Sequence, residues 1–211
     1  MVISAALLIL PKYIFNKEKV ANNGGTDQTK TTIIPTAFPL DVAMTEELKT
    51  QATKEFDFAF SKAKEWKDDA LFFGVVAKYK DGISVENGKN TYIFASPSLA
   101  TYYWTLTINQ SKNENGEHDY ERVIYYRDDY FLPATAAVVP IAYWKLNYID
   151  ALQKADDLGG KDIRAQGKKY DVNVLLSAQE GEYLAWSVEY LVDGKSVFTN
   201  SANAFNGEAA Q

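Results

Sequence analysis

The sequence predicts an α+β protein made of two tandem units, each an amphipathic helix packed on an antiparallel sheet of three to four strands. Two stretches carry this pattern, Thr45 to Tyr130 and Ile141 to Gly207, and in both a helical periodicity leads into strands that alternate apolar and polar residues. The 211 residues are 46% hydrophobic and 14% aromatic, which is enough apolar surface for a packed core. A repeated helix-and-sheet unit without a catalytic motif favours a binding scaffold.

Charge and cysteine content exclude several classes of function. The formal net charge of -6 argues against nucleic acid as a partner, because phosphate binding needs clustered Lys and Arg. The sequence has no cysteine, which excludes disulfides, iron-sulfur clusters, thiolate zinc sites and cysteine nucleophiles. We expect no cofactor.

The first 44 residues predict a location outside the cytoplasm. Residues 1–15 include the apolar run Val2 to Leu10, which is shorter than the roughly 20 residues of a membrane-spanning helix. This run is either the end of a signal anchor that starts upstream of Met1 or an ordinary apolar strand or frayed helix. Residues 16–44 contain an Asn-, Gly- and Thr-rich stretch that is typical of a flexible tether. An apolar segment followed by a tether and then by folded units favours a membrane-tethered or secreted protein of the cell envelope.

The first unit is expected to span residues 45–132 and to begin with a helix. Thr45 is a candidate N-cap, and apolar residues then recur at three- and four-residue spacing as far as Trp66. The buried stripe of this helix is predicted to hold Leu48, Ala52, Phe56, Ala59, Phe60, Ala63 and Trp66.

Strands are predicted to follow this helix. Leu71 to Tyr79 and Thr91 to Ala95 have strand length, and Tyr102 to Ile108 alternates with Trp104 on the inward face. The polar stretch Asn109 to Asp119 is expected to be a loop, and Glu121 to Tyr126 a further strand.

Residues 133–140 form the expected linker, and residues 141–208 the second unit. Its helix is predicted over Ile141 to Leu158 and ends at Gly159-Gly160. Three strands should follow, and the middle one carries Trp186 on its inward face.

The second unit resembles a PepSY-like domain. The resemblance rests on Ala151, Ala155 and Gly159-Gly160 in the helix, on the strand from Leu184 to Tyr190, and on the ending Asn206-Gly207-Glu208. The first half resembles the same kind of unit with a longer connection between strands, so that the resemblance covers about Thr45 to Glu208.

This resemblance implies small α+β modules, extracytoplasmic or membrane-attached, that bind or restrain partners such as peptidases. It brings no catalytic residue. The long acidic and Asn-rich stretch after Asn109 departs from the family pattern.

Candidate catalytic and metal-binding residues are few. The single histidine, His118, lies between Glu117 and Asp119, but three neighbouring side chains in one loop cannot all reach one metal ion without further ligands, so no metal site is predicted. Adjacent aspartates at residues 68–69, 128–129 and 156–157 are interpreted as solvated caps and turns rather than as paired catalytic carboxylates.

Aromatic residues are the remaining candidates for a binding surface. Adjacent aromatics on one strand point to opposite faces, so Tyr103 and one of Tyr125 or Tyr126 are expected to be exposed, with Tyr130 beside them. We expect the first half to bind a protein partner such as a peptidase or an envelope component. The alternatives are carbohydrate binding or a cell-envelope structural role through exposed Tyr and Trp, and, less favoured, an uncharacterised carboxylate enzyme.

Overall fold

The computed structural model describes residues 42–84, 87–132, 135–179 and 184–209. Within these residues helices pack on one antiparallel sheet, so the predicted α+β class is confirmed. The apolar N-terminal segment and nearly all of the expected tether lie outside the described residues. None of the described helices is long and apolar enough to cross a membrane.

Strands from both halves of the chain form a single sheet. Among the described residues the hydrogen-bonded order is β4-β3-β2-β1-β6-β7-β8, and a short strand β5 pairs with β6. The two halves meet where β1 pairs antiparallel with β6, for example Val75 with Leu176. The elements are α1 (Val42–Trp66), β1 (Leu71–Tyr79), β2 (Gly88–Ala95), β3 (Tyr102–Lys112), β4 (His118–Tyr126), β5 (Ala136–Ala137), α2 (Tyr148–Ala155), α3 (Lys161–Arg164), β6 (Asp171–Gln179), β7 (Ala185–Val192) and β8 (Lys195–Asn203).

The main core lies between the helices and one face of this sheet. Helix α1 contributes Ala52, Ala59 and Ala63, and the large aromatic side chains of the predicted stripe pack beside them. Trp104 and Trp186 are both buried on this face, as the alternation of their strands predicts. The Trp144 and Trp186 indoles each donate a 2.7 Å hydrogen bond to the Leu146 carbonyl oxygen.

The opposite face of the sheet is covered in part by the chain that follows β4. Leu132 and Ala136 are buried against Phe73, Ile93 and Tyr103 of the sheet. The chain then passes the end of β1, where the Val139 N–H donates to the Phe72 carbonyl oxygen at 2.8 Å. As a result, the centre of β3 is buried on both faces.

Three predicted boundaries differ from the structure. Helix α1 begins at Val42, so that Thr45 lies inside the helix rather than capping it. The stretch Asn109 to Asp119 is mostly strand, because β3 continues to Lys112 and β4 starts at His118. The polar residues there belong to a hairpin at the exposed end of the sheet, where polar side chains do not oppose strand pairing.

The second predicted helix is shorter than expected. Its first residue is Tyr148, since the Asn147 side chain caps the helix, and Ile141–Tyr143 is a separate 3-10 turn. Gly159, at φ 138°, confirms the predicted break in the helix, but helical structure resumes directly after it. A π turn at Asp156–Gly160 leads directly into α3.

Candidate functional site

The outer strand β4 is the most exposed strand of the sheet. None of its nine residues is buried, and its large apolar side chains include Ile124 at 55% exposure and Tyr126 at 60%. Tyr120 and Tyr125 are exposed as well. On its outer side no described strand pairs with β4. The strand therefore offers free backbone N–H and C=O groups together with apolar side chains.

The opposite outer strand, β8, differs in both respects. Its side chains are mostly Ser, Thr, Asn and Lys. Near its C-terminal end Ala202 pairs with Ala209, and the Asn203 N–H donates to the Glu208 carbonyl oxygen at 2.8 Å. A polar and partly covered edge is the usual protection of an outer strand. On β4 the charged residues are interspersed with exposed Tyr and Ile, and no described strand pairs with its outer side.

A pocket of about 740 Å³, here called the Arg127 pocket, lies at the C-terminal end of β4. Arg127 spans it, with its guanidinium carbon 4.7 Å from the centre of the Tyr103 ring and 5.1 Å from that of Phe73. Its Nη2 donates to the Tyr103 hydroxyl at 3.1 Å. The pocket is lined by Tyr102, Tyr103, Tyr126, Arg127, Asp128 and Tyr130 among others.

The four predicted binding tyrosines have different surroundings. The expected exposure of Tyr103 is wrong: it is 1% exposed, because Tyr130 and Arg127 cover the face of β3 that the sequence indicates as polar. Tyr125 and Tyr126 are both exposed, on opposite faces of the strand. Tyr130 is half-buried, its ring 4.9 Å from that of Tyr125, and burial raises its pKa.

A second cavity, here called the Glu55 cleft, lies between α1 and the β3–β4 hairpin. Its volume is about 560 Å³. Apolar walls come from Phe58, Ile108 and Tyr120, and the Phe58 and Tyr120 rings meet edge to face at 5.1 Å. Thr50, Gln51, Lys54, Glu55, Lys112 and His118 complete the lining.

The carboxylate of Glu55 forms the floor of this cleft. Glu55 is only 6% exposed and accepts hydrogen bonds at both oxygens. Oε1 accepts from Gln51 Nε2 at 3.1 Å and from Gln110 Nε2 at 2.9 Å. Oε2 accepts from Asn90 Nδ2 at 2.7 Å and from the Tyr92 hydroxyl at 3.3 Å. Four donors fill the lone-pair sites of one carboxylate, which explains how a charge is accommodated there.

His118 lies at the mouth of the Glu55 cleft rather than in a metal centre. Its Nδ1 is 2.9 Å from the Asn109 carbonyl oxygen and its Nε2 is 3.2 Å from Gln51 Nε2. The described residues contain no group of three or more His, Asp or Glu placed to hold a metal ion.

The paired aspartates do not all match their interpretation as solvated groups. Asp69 lies half-buried and accepts from the Ser98 N–H at 2.9 Å, and the Ser96 hydroxyl lowers its pKa. Asp156 is 8% exposed and forms an ion pair with Arg164, so its interpretation as a solvated cap is wrong. The π turn brings this carboxylate under α3, where Arg164 reaches it.

Sequence reasoning missed the residues that build the Glu55 cleft. The sequence signal that could have identified them is a polar residue at a position where the helix or strand pattern calls for an apolar one. Glu55 lies three residues after Ala52 and four before Ala59, in the buried stripe of α1, and Gln110 continues the inward alternation that ends at Ile108. Asn90 occupies the same inward phase as Tyr92 on β2.

Comparison with known proteins gives no relative. A scan against protein-family models, a search of curated proteins and a search of solved structures each return no match. The resemblance to PepSY-like domains therefore stays a prediction.

Proposed function

We propose that this protein is a non-enzymatic binding module that engages a protein partner, such as a peptidase or an envelope component, along β4. One observation carries the proposal: β4 is an outer strand whose outer edge no described strand pairs and whose Tyr and Ile side chains are exposed, whereas β8 is polar and partly covered. Exposed apolar edge strands pair readily with other chains, and many peptide-binding domains use this property.

The partner segment is expected to bind as an added strand. On the helix-side face of β4 it would meet Tyr120, Ile124 and Tyr126 with Arg122 between them. On the other face it would meet Asp119 and Glu121, followed by Val123 and Tyr125. A segment with apolar residues and one acidic residue on the helix-side face, and with basic and then apolar residues on the other face, matches β4, because cross-strand neighbours of opposite charge attract.

The same proposal includes a duplicated architecture and an extracytoplasmic location. In support of duplication, each half places a helix before its strands, and the sheet runs outward in sequence order on both sides of the β1–β6 pair. The extracytoplasmic location is supported by the apolar run Val2 to Leu10 and by the Asn-rich stretch that follows it.

Site-specific photocross-linking in cells that produce the full chain tests the partner surface. With p-benzoylphenylalanine at position 126 we expect a defined protein adduct. The matched control carries the same probe at Val197, an exposed apolar residue of β8. Equal adducts from both positions would contradict docking on β4.

Two proline variants test strand addition itself. Consecutive residues of an antiparallel strand direct their N–H groups to opposite sides, so one of Val123 and Ile124 donates toward β3 and the other toward the open edge. Hydrogen exchange identifies which of the two N–H groups points to the open edge, because that group exchanges faster. Proline at the outward position should abolish the adduct while the free energy of unfolding stays near that of the parent. An adduct that survives this variant would rule out pairing through the backbone.

The Arg127 pocket favours carbohydrate binding as the alternative. Tyr102 and Tyr126 lie 4.9 Å apart by ring centres, next to Arg127 and Asp128. Aromatic faces stack on sugar rings, and charged groups bind hydroxyls. Binding of a soluble glycan that is lost in Tyr126→Ala, kept in Tyr143→Ala and unaffected by the outward proline would support this alternative instead. Tyr103→Ala is unsuitable for the test, because Tyr103 is a core residue.

A further inference from the structure

We infer that the Glu55 cleft binds a small amphiphilic acid, a molecule with one anionic group on a compact apolar body. This site lies on the helix side of the sheet, beside the partner surface proposed on β4, with which it shares Tyr120. It goes beyond the proposed docking of a protein partner and does not depend on it.

The apolar body of the ligand is matched by the walls of the cleft. Phe58 on α1 and Tyr120 on β4 pack edge to face with their ring centres 5.1 Å apart, and Ile108 of β3 adds a third apolar side chain to the lining. Phe58 is an exposed phenylalanine in the middle of a helix, where covering it would recover hydrophobic free energy. A volume near 560 Å³ is within the usual range for small-molecule sites.

The floor of the cleft does not select a cation. All the lone-pair sites of the Glu55 carboxylate are used by Gln51, Gln110, Asn90 and Tyr92, so an incoming amine would have to displace one of these donors. A buried donor that loses its acceptor costs more than the new bond returns. The carboxylate therefore acts as the fixed base of the cleft rather than as a ligand contact.

Two lysines at the rim supply the attraction for an anion. Lys54 projects from α1 and Lys112 from β3, so that they come from opposite walls. Neither forms an ion pair within the part of the chain that the structure describes. Two ammonium groups and one carboxylate give the lining a net positive charge, and a carboxylate held between the lysines would form charge-assisted hydrogen bonds with both.

Calorimetric titration with a matched pair of probes tests this site. Naphthalene-2-carboxylate and its neutral amide have the same shape and differ in charge. We expect the carboxylate to bind the full chain at least about tenfold more tightly than the amide, since only the carboxylate gains charge-assisted bonds. We also expect its affinity to fall as salt is added, because both lysines are exposed.

Variants locate the binding. The double variant Lys54→Met, Lys112→Met should lose the preference for the carboxylate, and Phe58→Ala should weaken both probes. The matched control, Lys89→Met with Lys195→Met, replaces two exposed lysines outside the cleft and should bind as the parent does. Equal affinity for both probes, no saturable binding of either, or full carboxylate binding by the cleft variant would each overturn the inference.

Discussion

Glu55 is a charged side chain at the interface between α1 and the sheet. Burial of an ionised carboxylate without partners is strongly unfavourable, but Glu55 accepts from side chains of α1, β2 and β3 at once. The Tyr148 hydroxyl extends the network to α2 through Gln110 Oε1, at 3.5 Å. A single carboxylate therefore connects helix α1 to polar side chains of two strands, β2 and β3, and holds α1 in place on the sheet.

Removal of this carboxylate should destabilise the fold. In Glu55→Ala, the Asn90 and Gln110 amides lose their buried acceptor, and we expect the free energy of unfolding to fall by about 3 kcal/mol. Urea denaturation followed by circular dichroism measures the change. Asp57→Ala, an exposed acid on the same helix, is the control and should stay within about 0.5 kcal/mol of the parent. A similar loss in both variants would show that the network contributes little.

Helix α2 begins at a capping box that precedes its apolar stripe. Asn147 Oδ1 accepts from the Ile149 and Asp150 N–H groups at 2.9 and 3.1 Å, and the Asp150 side chain accepts from the Asn147 N–H at 2.9 Å. Lys49 of α1 forms an ion pair with the same Asp150 at 2.9 Å. The cap thus sets both the start of α2 and its contact with α1.

Loss of the cap should weaken α2 by a modest amount. We expect Asn147→Ala to lower the free energy of unfolding by about 1 kcal/mol, because two N–H groups lose their acceptor. Thermal unfolding measures the difference. Gln153→Ala, a substitution in the same helix away from the cap, should change it by less. Equal effects would contradict a dominant role for Asn147.

The sequence predicted strands better than it predicted their surroundings. Period-two patterns located β3, β6 and β7 because inward residues such as Trp104 and Trp186 alternate with smaller or polar ones, and β1 was located by its apolar run of strand length. They could not show that Tyr130, Leu132 and Ala136 pack over the sheet, so Tyr103 was expected at the surface. Nor could local patterns show that Glu55, Asn90 and Gln110 meet, since their contacts join distant parts of the chain.

The two halves of the chain share one core. The main cluster contains residues from α1, β1, β2 and β3 together with residues from α2, β6 and β7. Trp144, from the connection between the halves, packs on Phe56 and Phe72 of the first half and on Trp186 of the second. Neither half has a closed core of its own, so we expect them to unfold together.

Buried tyrosines make this shared core sensitive to alkali. Burial, together with the nearby Glu55 charge, raises the pKa of Tyr79, Tyr92 and Tyr148 above the ordinary value of 10.0. Above pH 10 the unfolded chain releases these protons and the folded chain keeps them, so stability is full below that pH and falls as pH rises. We expect these phenols to ionise, by absorbance at 295 nm, only as far-UV circular dichroism is lost. In Tyr92→Phe, one proton fewer is released on unfolding, and the decline with pH should be shallower. Complete ionisation of all 14 tyrosines in a chain that keeps its native dichroism would contradict this account.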